Sequence, residues 1–250
     1  MSQTVLITGA TSGIGEATAQ KYADAGCRLI LCGRNENKLQ ALQKSLTSAI
    51  GIHTLRFDVA DKQAVFKAIQ TLPAAFSDID ILINNAGNAH GWDTFQEASL
   101  DDWEQMMDIN VKGLLYVTKA VLPVFIKKGS GHIVNIGSTA AKEVYPKGNV
   151  YCASKHAVDA INQALRIDLN GLNIRVGAVH PGLVQTHFSA VRFKGDLARA
   201  EQVYKGFSPL QASDIADIIY FVTQAPPHVN IADLVVMPTA QASSTIVSKK

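Results

Sequence analysis

Tyr151 and Lys155 have the residue types and the spacing that proton transfer could use. They stand four positions apart at the start of a predicted helix and therefore share one helical face. A free tyrosine titrates near ~10 and is a poor base at neutral pH, but a nearby ammonium lowers its pKa by favouring the phenolate. Such a pair could take a proton from an alcohol. For this spacing alone, a core tyrosine beside a surface lysine is the commoner arrangement.

A glycine-rich stretch opens the first predicted helix, directly after an apolar run at the start of the chain. It reads Thr8-Gly9-Ala10-Thr11-Ser12-Gly13-Ile14-Gly15. Glycines let a backbone turn sharply and approach a pyrophosphate, and a helix N-terminus offers that anion free N–H groups and a positive dipole end. A tight strand-to-helix turn would need the same residues. The position of this stretch within a strand–helix–strand unit favours dinucleotide binding.

The end of the second predicted strand indicates which dinucleotide would bind. An acidic residue there would bind the ribose 2′-OH and favour NAD, but the chain reads Leu31-Cys32-Gly33-Arg34-Asn35. Arg34 stands where a guanidinium could pair with a 2′-phosphate. A solvated arginine at a strand end is the alternative. The missing acid and the base together favour NADP.

These motifs need a scaffold, and the apolar pattern predicts one. Short runs rich in Val, Ile and Leu are typical of strands buried on both faces of a parallel sheet. The runs are Thr4–Thr8, Arg28–Cys32, Thr54–Phe57, Ile79–Ile83, His132–Ile136, Arg175–Val179 and Leu234–Met237. Segments with helical spacing lie between them: Gly15–Ala25, Glu36–Leu46, Lys62–Leu72, Asp101–Phe125, Asn149–Leu169 and Ser213–Gln224. The alternation predicts a parallel α/β sheet with helices on both sides, in a single domain over residues 1–250.

One segment, Pro181–Pro209, interrupts this alternation because it has no clear strand and no long regular helix. A loop of this length in a compact domain is usually functional. It follows a predicted strand, at the sheet edge where open α/β folds bind ligands. We therefore expect a substrate lid at about 181–209.

Composition excludes several classes of protein. Among 250 residues, 47% are apolar and 18% charged, which a disordered chain would not show. Lys+Arg 23 against Asp+Glu 21 gives a net charge of +2, and this balance predicts neither a nucleic-acid partner nor a membrane partner. No apolar run approaches the ~18 residues of a membrane span, and the N-terminus has no secretory signal pattern.

The three cysteines, Cys27, Cys32 and Cys152, form no metal-binding spacing, and the histidines form no H-E-x-x-H pattern. We therefore expect no metal site. An odd number of unpaired cysteines is typical of a reduced, intracellular protein, and we expect a cytoplasmic one.

Taken together and in order, the motifs carry more information than any one of them. The glycine loop is followed by Asn84-Asn85-Ala86-Gly87, Asn110, Ser138, Tyr151 with Lys155, and Pro181-Gly182 with Thr186. This order resembles the short-chain dehydrogenase/reductase family, and the resemblance spans residues 4 to about 240. It implies an NADP-dependent enzyme with a Rossmann-type, doubly wound sheet. It also implies a homotetramer in which the long helices before and after the fifth strand form a dimer interface.

The resemblance also implies roles for individual residues. Tyr151 would be the general acid/base, Ser138 would hydrogen-bond the substrate oxygen, Lys155 would bind the nicotinamide ribose, and Asn110 would hold a water in a proton relay. The residues expected to contact the cofactor are Gly9, Thr11, Ser12, Gly13, Ile14, Gly15, Arg34, Asp58, Val59, Asn85, Ala86, Gly87, Tyr151, Lys155, Pro181, Gly182, Val184 and Thr186. By themselves, Ser138 would be an ordinary turn serine and Asn110 a satisfied helix asparagine.

Several segments are similar to one subgroup, the NADP-dependent 3-hydroxy acid dehydrogenases, which act on serine, allo-threonine and small 3-hydroxy acids and reduce malonic semialdehyde. The segments are 82–87, 135–140, 182–184 and 191–196. Val235-Val236-Met237-Pro238-Thr239 stands where many relatives have paired glycines, which argues against the alternative, a 3-oxoacyl or general carbonyl reductase. Asn35 departs from the second basic residue expected after Arg34. The non-enzyme alternative is an NADP-binding sensor, although such proteins usually lose the tyrosine or the lysine.

A 3-hydroxy acid brings a carboxylate to the site, so the lid should supply a cation. Arg192 and Lys194 flank Phe193. In an extended loop, alternation would point both cations to one side and Phe193 to the other. Substrate contacts are thus expected from Ser138, Tyr151, Arg192 and Lys194, with Arg192 favoured because its fork pairs bidentately with a carboxylate. Solvated charges on a mobile loop are the alternative.

Overall fold

The apolar runs predicted to be strands build the central sheet. The computed structural model describes residues 2–250, so Met1 of the expected 1–250 domain lies outside the described residues. The strands are β1 (Thr4–Thr8), β2 (Arg28–Gly33), β3 (Gly51–Arg56), β4 (Ile81–Asn84), β5 (Gly131–Ile136), β6 (Ile174–Pro181), β7 (Val184–Gln185), β8 (Leu210–Gln211) and β9 (Asp233–Val236). Seven of them form one parallel sheet in the order β3-β2-β1-β4-β5-β6-β9.

Helices connect these strands, and outside the 181–209 segment they lie at the predicted places. They are α1 (Gly13–Asp24), α2 (Glu36–Ser45), α3 (Lys62–Gln70), α4 (Leu100–Met107), α5 (Leu114–Lys128), α6 (Asn149–Asp168), α7 (Phe188–Arg192), α8 (Leu197–Tyr204) and α9 (Ala212–Gln224). Local capping fixes some of the starts, since Asn35 accepts from the Lys38 N–H and Asp61 from the Ala64 N–H, each at 3.0 Å.

Alternate strand residues pack on opposite faces of the sheet. Val5 and Ile7 of β1 belong to a core cluster with α1, α2 and α9, whereas Leu6 between them belongs to a cluster with α3 and α5. All three are fully buried. Burying such a side chain stabilises the fold by about 1.5–3 kcal/mol, and the helices on both faces supply that cover. The prediction of a doubly wound Rossmann-type domain is confirmed.

The strand order reverses direction at β1. From β1 the chain moves outward to β2 and β3, and it then returns to place β4 on the other side of β1. The loops that leave the carboxyl ends of β1 and β4 therefore diverge and open a crevice, which is where such sheets bind ligands. This topology brings the glycine loop to the segment that begins at Asn85.

The longest helical segment, Leu100–Lys128, differs from what the apolar runs alone suggested. It joins α4 to α5 through a π-helical turn, Asp108–Gly113, and among residues 2–250 it is the one helix long and apolar enough to cross a membrane by length and composition. The prediction concerned uninterrupted apolar runs, and Lys112 and Lys119 interrupt the apolar residues of this helix. Val121 and Phe125 on this helix are fully buried against the sheet, so it packs as a covering helix of the core.

The 181–209 segment contains short regular elements where an irregular loop was expected. The two-residue strand β7 pairs with β8, which begins directly after the segment, and the helices α7 and α8 have five and eight residues. Most of the segment lies above the carboxyl ends of the strands and lines the cavities described next. Its action as a lid stays a prediction.

Candidate active site

Two adjoining cavities lie along the crevice. The first, the tyrosine cavity, has a volume of about 570 Å³ and is lined by Ser138, Tyr151, Lys155 and Arg192 among others. The second, the glycine-loop cavity, has a volume of about 470 Å³ and is lined by the glycine loop and Arg34. The lining residues that the two share are Ile14, Asn85, Gly87, Thr186 and Phe188. A ligand that fills one cavity can therefore extend into the other.

Most of the residues expected from the sequence line these cavities. The glycine-loop cavity is lined by Gly9, Thr11, Ser12, Gly13, Ile14, Arg34, Asp58, Val59, Asn85, Ala86, Gly87 and Thr186. Pro181, Gly182 and Val184 line the tyrosine cavity. Gly15, Asn110 and Lys194 line neither one.

The glycine loop requires glycine at defined positions. Gly9 and Gly13 have φ angles of 64° and 54°, a region that favours glycine. A Cβ at Gly15 would lie 2.3 Å from the Gly9 carbonyl oxygen, so this helix position must be glycine for the turn to close. The turn thus leaves the N-terminus of α1 open to an anion, as pyrophosphate binding needs.

Asn85 braces the glycine loop from the neighbouring strand. Its side-chain amide donates to the carbonyl oxygens of Thr8 at 2.9 Å and Gly9 at 3.1 Å. The Thr8 hydroxyl in turn accepts from the backbone N–H groups of Asn85 and Ala86, both at 3.0 Å. Asn85, expected to contact the cofactor, thus also holds the glycine loop in shape.

The far end of the glycine-loop cavity carries two cations. Arg34 is exposed and lies 3.5 Å from the Asp58 carboxylate, and Lys38 lines the same cavity one helical turn further on. Asn35, which seemed to weaken a 2′-phosphate site, is the N-cap of α2. Lys38 was not among the residues expected from the sequence, although its spacing of four from Arg34 at a helix start was a usable signal.

At the centre of the tyrosine cavity, Tyr151 is buried. Burial raises its pKa above the ordinary value, whereas the hydrogen bond with the Ser138 hydroxyl and the charge of Arg192 act to lower it. In the protein alone, loss of hydration therefore outweighs the neighbouring groups, and a lowered pKa of this tyrosine beside a cationic nicotinamide stays a prediction.

Lys155 is buried beside the tyrosine, and its ammonium donates to the Ile136 carbonyl oxygen at 2.9 Å. Burial lowers the pKa of Lys155 to about 8. A Cβ at Gly87 would lie 3.5 Å from Lys155 Nζ and 3.2 Å from Asn110 Oδ1, so the chain approaches both residues closely at this glycine. The lysine thus faces the point where the two cavities meet.

Asn110 lies in the π-helical turn and is buried. Its side-chain oxygen accepts from the Asn88 N–H at 2.8 Å, and its amide donates to the Asn88 carbonyl at 2.8 Å and the Ser154 hydroxyl at 3.0 Å. The amide is therefore already bonded on both sides. The role of Asn110 in holding a water of a proton relay stays a prediction.

Arg192 enters the tyrosine cavity as a cation without an acidic partner. Its guanidinium carbon lies 4.2 Å from the Trp92 ring centroid and 5.3 Å from that of Tyr151, and its Nη1 donates to the Tyr145 hydroxyl at 3.0 Å. Only 9% of the residue is exposed, and within residues 2–250 no carboxylate lies within 4.0 Å of it. A buried cation without a partner is costly, so this position favours an anionic ligand.

Lys194 does not share this position. It forms an ion pair of 2.9 Å with Asp102 and lies on the outside of the lid segment, with its side chain 60% exposed. The expectation that both cations point to one side assumed an extended chain. Because Phe188–Arg192 is helical and Lys194 has a φ of 53°, the two side chains diverge. The assignment of Lys194 to the substrate site is thus corrected.

Other residues of the tyrosine cavity had not been expected. Trp92 and Tyr145 stack with ring centroids 5.7 Å apart, and a segment near the C-terminus completes the wall. In that segment, Gln241 is buried and accepts from the Leu183 N–H at 2.8 Å. Nothing in the local sequence marks these residues, since each acquires its place through distant contacts.

A cluster behind Ser138 has the spacing of a metal site. Ligand-type atoms of Asp159, His180 and Asp233 lie within 4.8 Å of one another. The ammonium of Lys142, however, lies 3.1 Å from Asp159 and 2.6 Å from Asp233. An ammonium between the carboxylates would repel a metal ion, in line with the expectation of a metal-free protein, which stays a prediction.

Comparison with known proteins supports the family resemblance. The family model described as short chain dehydrogenase matches residues 3–196. Over 98% of its length the chain is 47% identical to sulfoacetaldehyde reductase 2 of Chromohalobacter salexigens, covering 97% of that protein. Over 95% of its length it is 44% identical to the NADP-dependent 3-hydroxy acid dehydrogenase YdfG of Salmonella typhi, covering 96% of it. The closed form of a serine dehydrogenase complexed with NADP+ superposes with a TM-score of 0.94 at 41% identity, covering 99% of this chain and 100% of that one.

Proposed function

The chain belongs to the short-chain dehydrogenase/reductase family, and we propose that it transfers a hydride between NADP and the hydroxyl or carbonyl group of small 3-hydroxy acids. Serine, allo-threonine and the pair 3-hydroxypropionate/malonic semialdehyde are the proposed substrates. The observation that carries this proposal is Arg192, a buried guanidinium beside Tyr151 that pairs with no carboxylate of residues 2–250. An anionic group two carbons from the reacting hydroxyl would pair with it.

The residues of the glycine-loop cavity fit NADP. The open N-terminus of α1 would hold the pyrophosphate, Asp58 and Val59 would flank the adenine, and Arg34 would pair with the 2′-phosphate, now joined by Lys38. Lys155 would bind the nicotinamide ribose, and the segment Pro181–Thr186 would cover the nicotinamide. When bound, NADP supplies the hydride acceptor or donor.

The remaining chemistry is proton transfer by the protein. In oxidation, the Tyr151 phenolate would take the hydroxyl proton as the carbon-bound hydrogen leaves as hydride, so that alcohol becomes carbonyl. The Ser138 hydroxyl would hydrogen-bond the substrate oxygen throughout. Burial opposes the phenolate, while Ser138, Arg192 and a cationic nicotinamide would favour it. Asn110 would hold the water through which the proton reaches solvent.

A second candidate substrate has the same arrangement with a different anion. The 47% identical relative is named a sulfoacetaldehyde reductase, and sulfoacetaldehyde carries a sulfonate where malonic semialdehyde carries a carboxylate. Arg192 and the Tyr145 hydroxyl could donate to either anion. Carboxylate and sulfonate aldehydes must therefore be compared directly.

A substrate panel tests the proposal. NADP reduction would be followed at the reduced-nicotinamide absorbance band with serine, allo-threonine, 3-hydroxybutyrate, 3-hydroxypropionate, the alcohol of sulfoacetaldehyde and a secondary alcohol without an acid group. We expect the carboxylates to give the highest kcat/KM. A preference for the sulfonate selects the second candidate. Preference for the uncharged alcohol selects a general carbonyl reductase, and binding of NADP without turnover selects a sensor.

We also propose the homotetramer that the family resemblance implies, with a dimer interface formed by the long helices α5 and α6. Exposed apolar side chains on these helices support it, since Leu115 and Ile126 of α5 are 42% and 51% exposed and Ile167 of α6 is 72% exposed. Light scattering after size exclusion would measure the mass. A cytoplasmic location is proposed from the three unpaired, buried cysteines.

A further inference from the structure

His180 is a fully buried polar residue that the proposed chemistry leaves unused. It is the second-last residue of β6, just before Pro181-Gly182, and its relative exposure is 0%. A buried imidazole needs polar partners to offset its lost hydration. Its partners are all parts of the scaffold around Ser138.

One ring nitrogen faces the main chain of Ser138. Nδ1 lies 3.4 Å from the Ser138 nitrogen and 3.3 Å from the Ser138 carbonyl oxygen, so it bonds this residue in either tautomer. The contact is possible because residue 137 is glycine. A Cβ there would lie 2.2 Å from Nδ1, and the ring could not occupy its present place.

The other nitrogen faces two carboxylates. Nε2 lies 2.9 Å from Asp233 and 3.6 Å from Asp159, although neither is aligned with the ring N–H. Burial, with the charge of Lys142, lowers the pKa of His180, while Asp233 and Asp159 act to raise it. With Nδ1 unprotonated the ring accepts from the Ser138 N–H, and with Nδ1 protonated it donates to the Ser138 carbonyl oxygen. Either tautomer therefore ties the ring to the main chain of Ser138.

The same carboxylates hold the other end of the Ser138 turn. Ser138 caps a short 3-10 turn, Thr139–Ala141, by accepting from the Ala140 N–H at 3.1 Å. Lys142 follows that turn directly and pairs with Asp159 and Asp233. His180 thus contacts the start of the turn, and Lys142 lies at its end. Both residues also contact the carboxylates of Asp159 in α6 and Asp233 in β9.

We propose that His180 is a positioning residue that fixes the Ser138 main chain and so aims the Ser138 hydroxyl at the substrate oxygen beside Tyr151. The inference rests on the proposed function, in which Ser138 contacts the substrate. His180 touches neither substrate nor cofactor and acts only through Ser138. A small displacement of the serine would lower turnover because proton and hydride transfer need closely aligned groups.

Matched substitutions separate the polar contact from simple filling of space. Leucine and asparagine have the same branching of side-chain heavy atoms, but only asparagine can place a hydrogen-bonding group near the position of Nδ1. We expect His180→Leu to lower kcat by about 10- to 100-fold and His180→Asn to recover most of it. His180→Gln places its amide near Nε2 instead, so we expect its kcat to be as low as that of His180→Leu. It serves in place of His180→Leu if the leucine variant fails to fold. NADPH affinity, measured by fluorescence, should not change.

A double-mutant cycle with Ser138→Ala identifies the route of the effect. If His180 acts through Ser138, adding His180→Leu to Ser138→Ala should change kcat by less than about twofold. An equal loss in both backgrounds, or full activity of His180→Leu, overturns the inference. Full activity of Ser138→Ala alone would instead reject the proposed function. His132→Leu is the matched control, because His132 is also a buried histidine, at the opposite end of β5, and should leave kcat unchanged.

Discussion

Arg192 stacks on Trp92, with its guanidinium carbon 4.2 Å from the indole ring centroid. Such a cation–π contact stabilises a desolvated guanidinium by about 0.5–2 kcal/mol. The stacking also holds the Arg192 guanidinium beside Tyr145 and Tyr151, where no carboxylate of residues 2–250 pairs with it. The cation is thus oriented before any substrate arrives, which reduces the ordering that binding requires.

Removing this cation should reduce activity toward acids selectively. We expect Arg192→Ala to lower kcat/KM for serine and 3-hydroxypropionate by about 10- to 150-fold, since a charge-assisted hydrogen bond contributes ~1.5–3 kcal/mol. Activity on an uncharged secondary alcohol should be largely kept. Lys194→Ala is the control, because that lysine pairs with Asp102 outside the cavity. Equal losses on acid and alcohol would mean that Arg192 only shapes the segment around it.

The phenol of Tyr151 should be required for turnover and dispensable for cofactor binding. We expect Tyr151→Phe to lower kcat by at least about 10²- to 10⁴-fold, the range typical of general acid–base catalysis. The phenylalanine ring keeps the packing against Phe188, whose ring centroid lies 5.6 Å away. NADPH binding by fluorescence would then be near normal. Near-normal turnover would exclude the tyrosine as acid/base.

The two cations at the end of the glycine-loop cavity should determine the preference for NADP. Arg34→Asp should lower the ratio of NADP to NAD affinity by at least about tenfold, and Lys38→Ala should lower it in the same direction by less. Both act on the 2′-phosphate, which NAD lacks. Lys44→Ala controls for the loss of a positive charge, because Lys44 lies in the last turn of α2, the helix that contains Lys38. An unchanged ratio of NADP to NAD affinity in Arg34→Asp would mean that the 2′-phosphate does not bind at this end of the cavity.

The buried ammonium of Lys155 should leave a pH signature in stability. Its pKa is about 8 in the folded protein, below the ordinary lysine value of 10.5, so the unfolded chain binds more protons between these pH values. The free energy of unfolding contributed by this residue therefore rises with pH through that window. We expect the free energy of unfolding of the wild type, measured by urea titration, to increase relative to that of Lys155→Met as the pH is raised from 8 to 10.5. A difference that stays constant with pH would contradict the lowered pKa.

The sequence by itself determined the features that depend on local periodicity. The apolar runs predicted the strands to within a few residues, because strands buried on both faces leave a continuous apolar signal. The glycine loop was predictable for a similar reason: the φ angles of Gly9 and Gly13 impose a residue type wherever that turn forms. The helical spacing of Tyr151 and Lys155 likewise placed both in one cavity.

The tertiary structure decided how distant segments meet, which no local pattern encodes. Arg192 and Lys194 looked equivalent in sequence, but a short helix turned one into the cavity and the other toward Asp102. Trp92 became part of the site only because the fold stacks it on Tyr145 and Arg192. Burial, a property of packing, raises the pKa of Tyr151 in the protein alone and outweighs its neighbours, which the local sequence does not show. The periodicity of apolar residues can be read from neighbouring positions in the sequence. Desolvation and contacts between remote side chains arise only when the sheet brings its loops together.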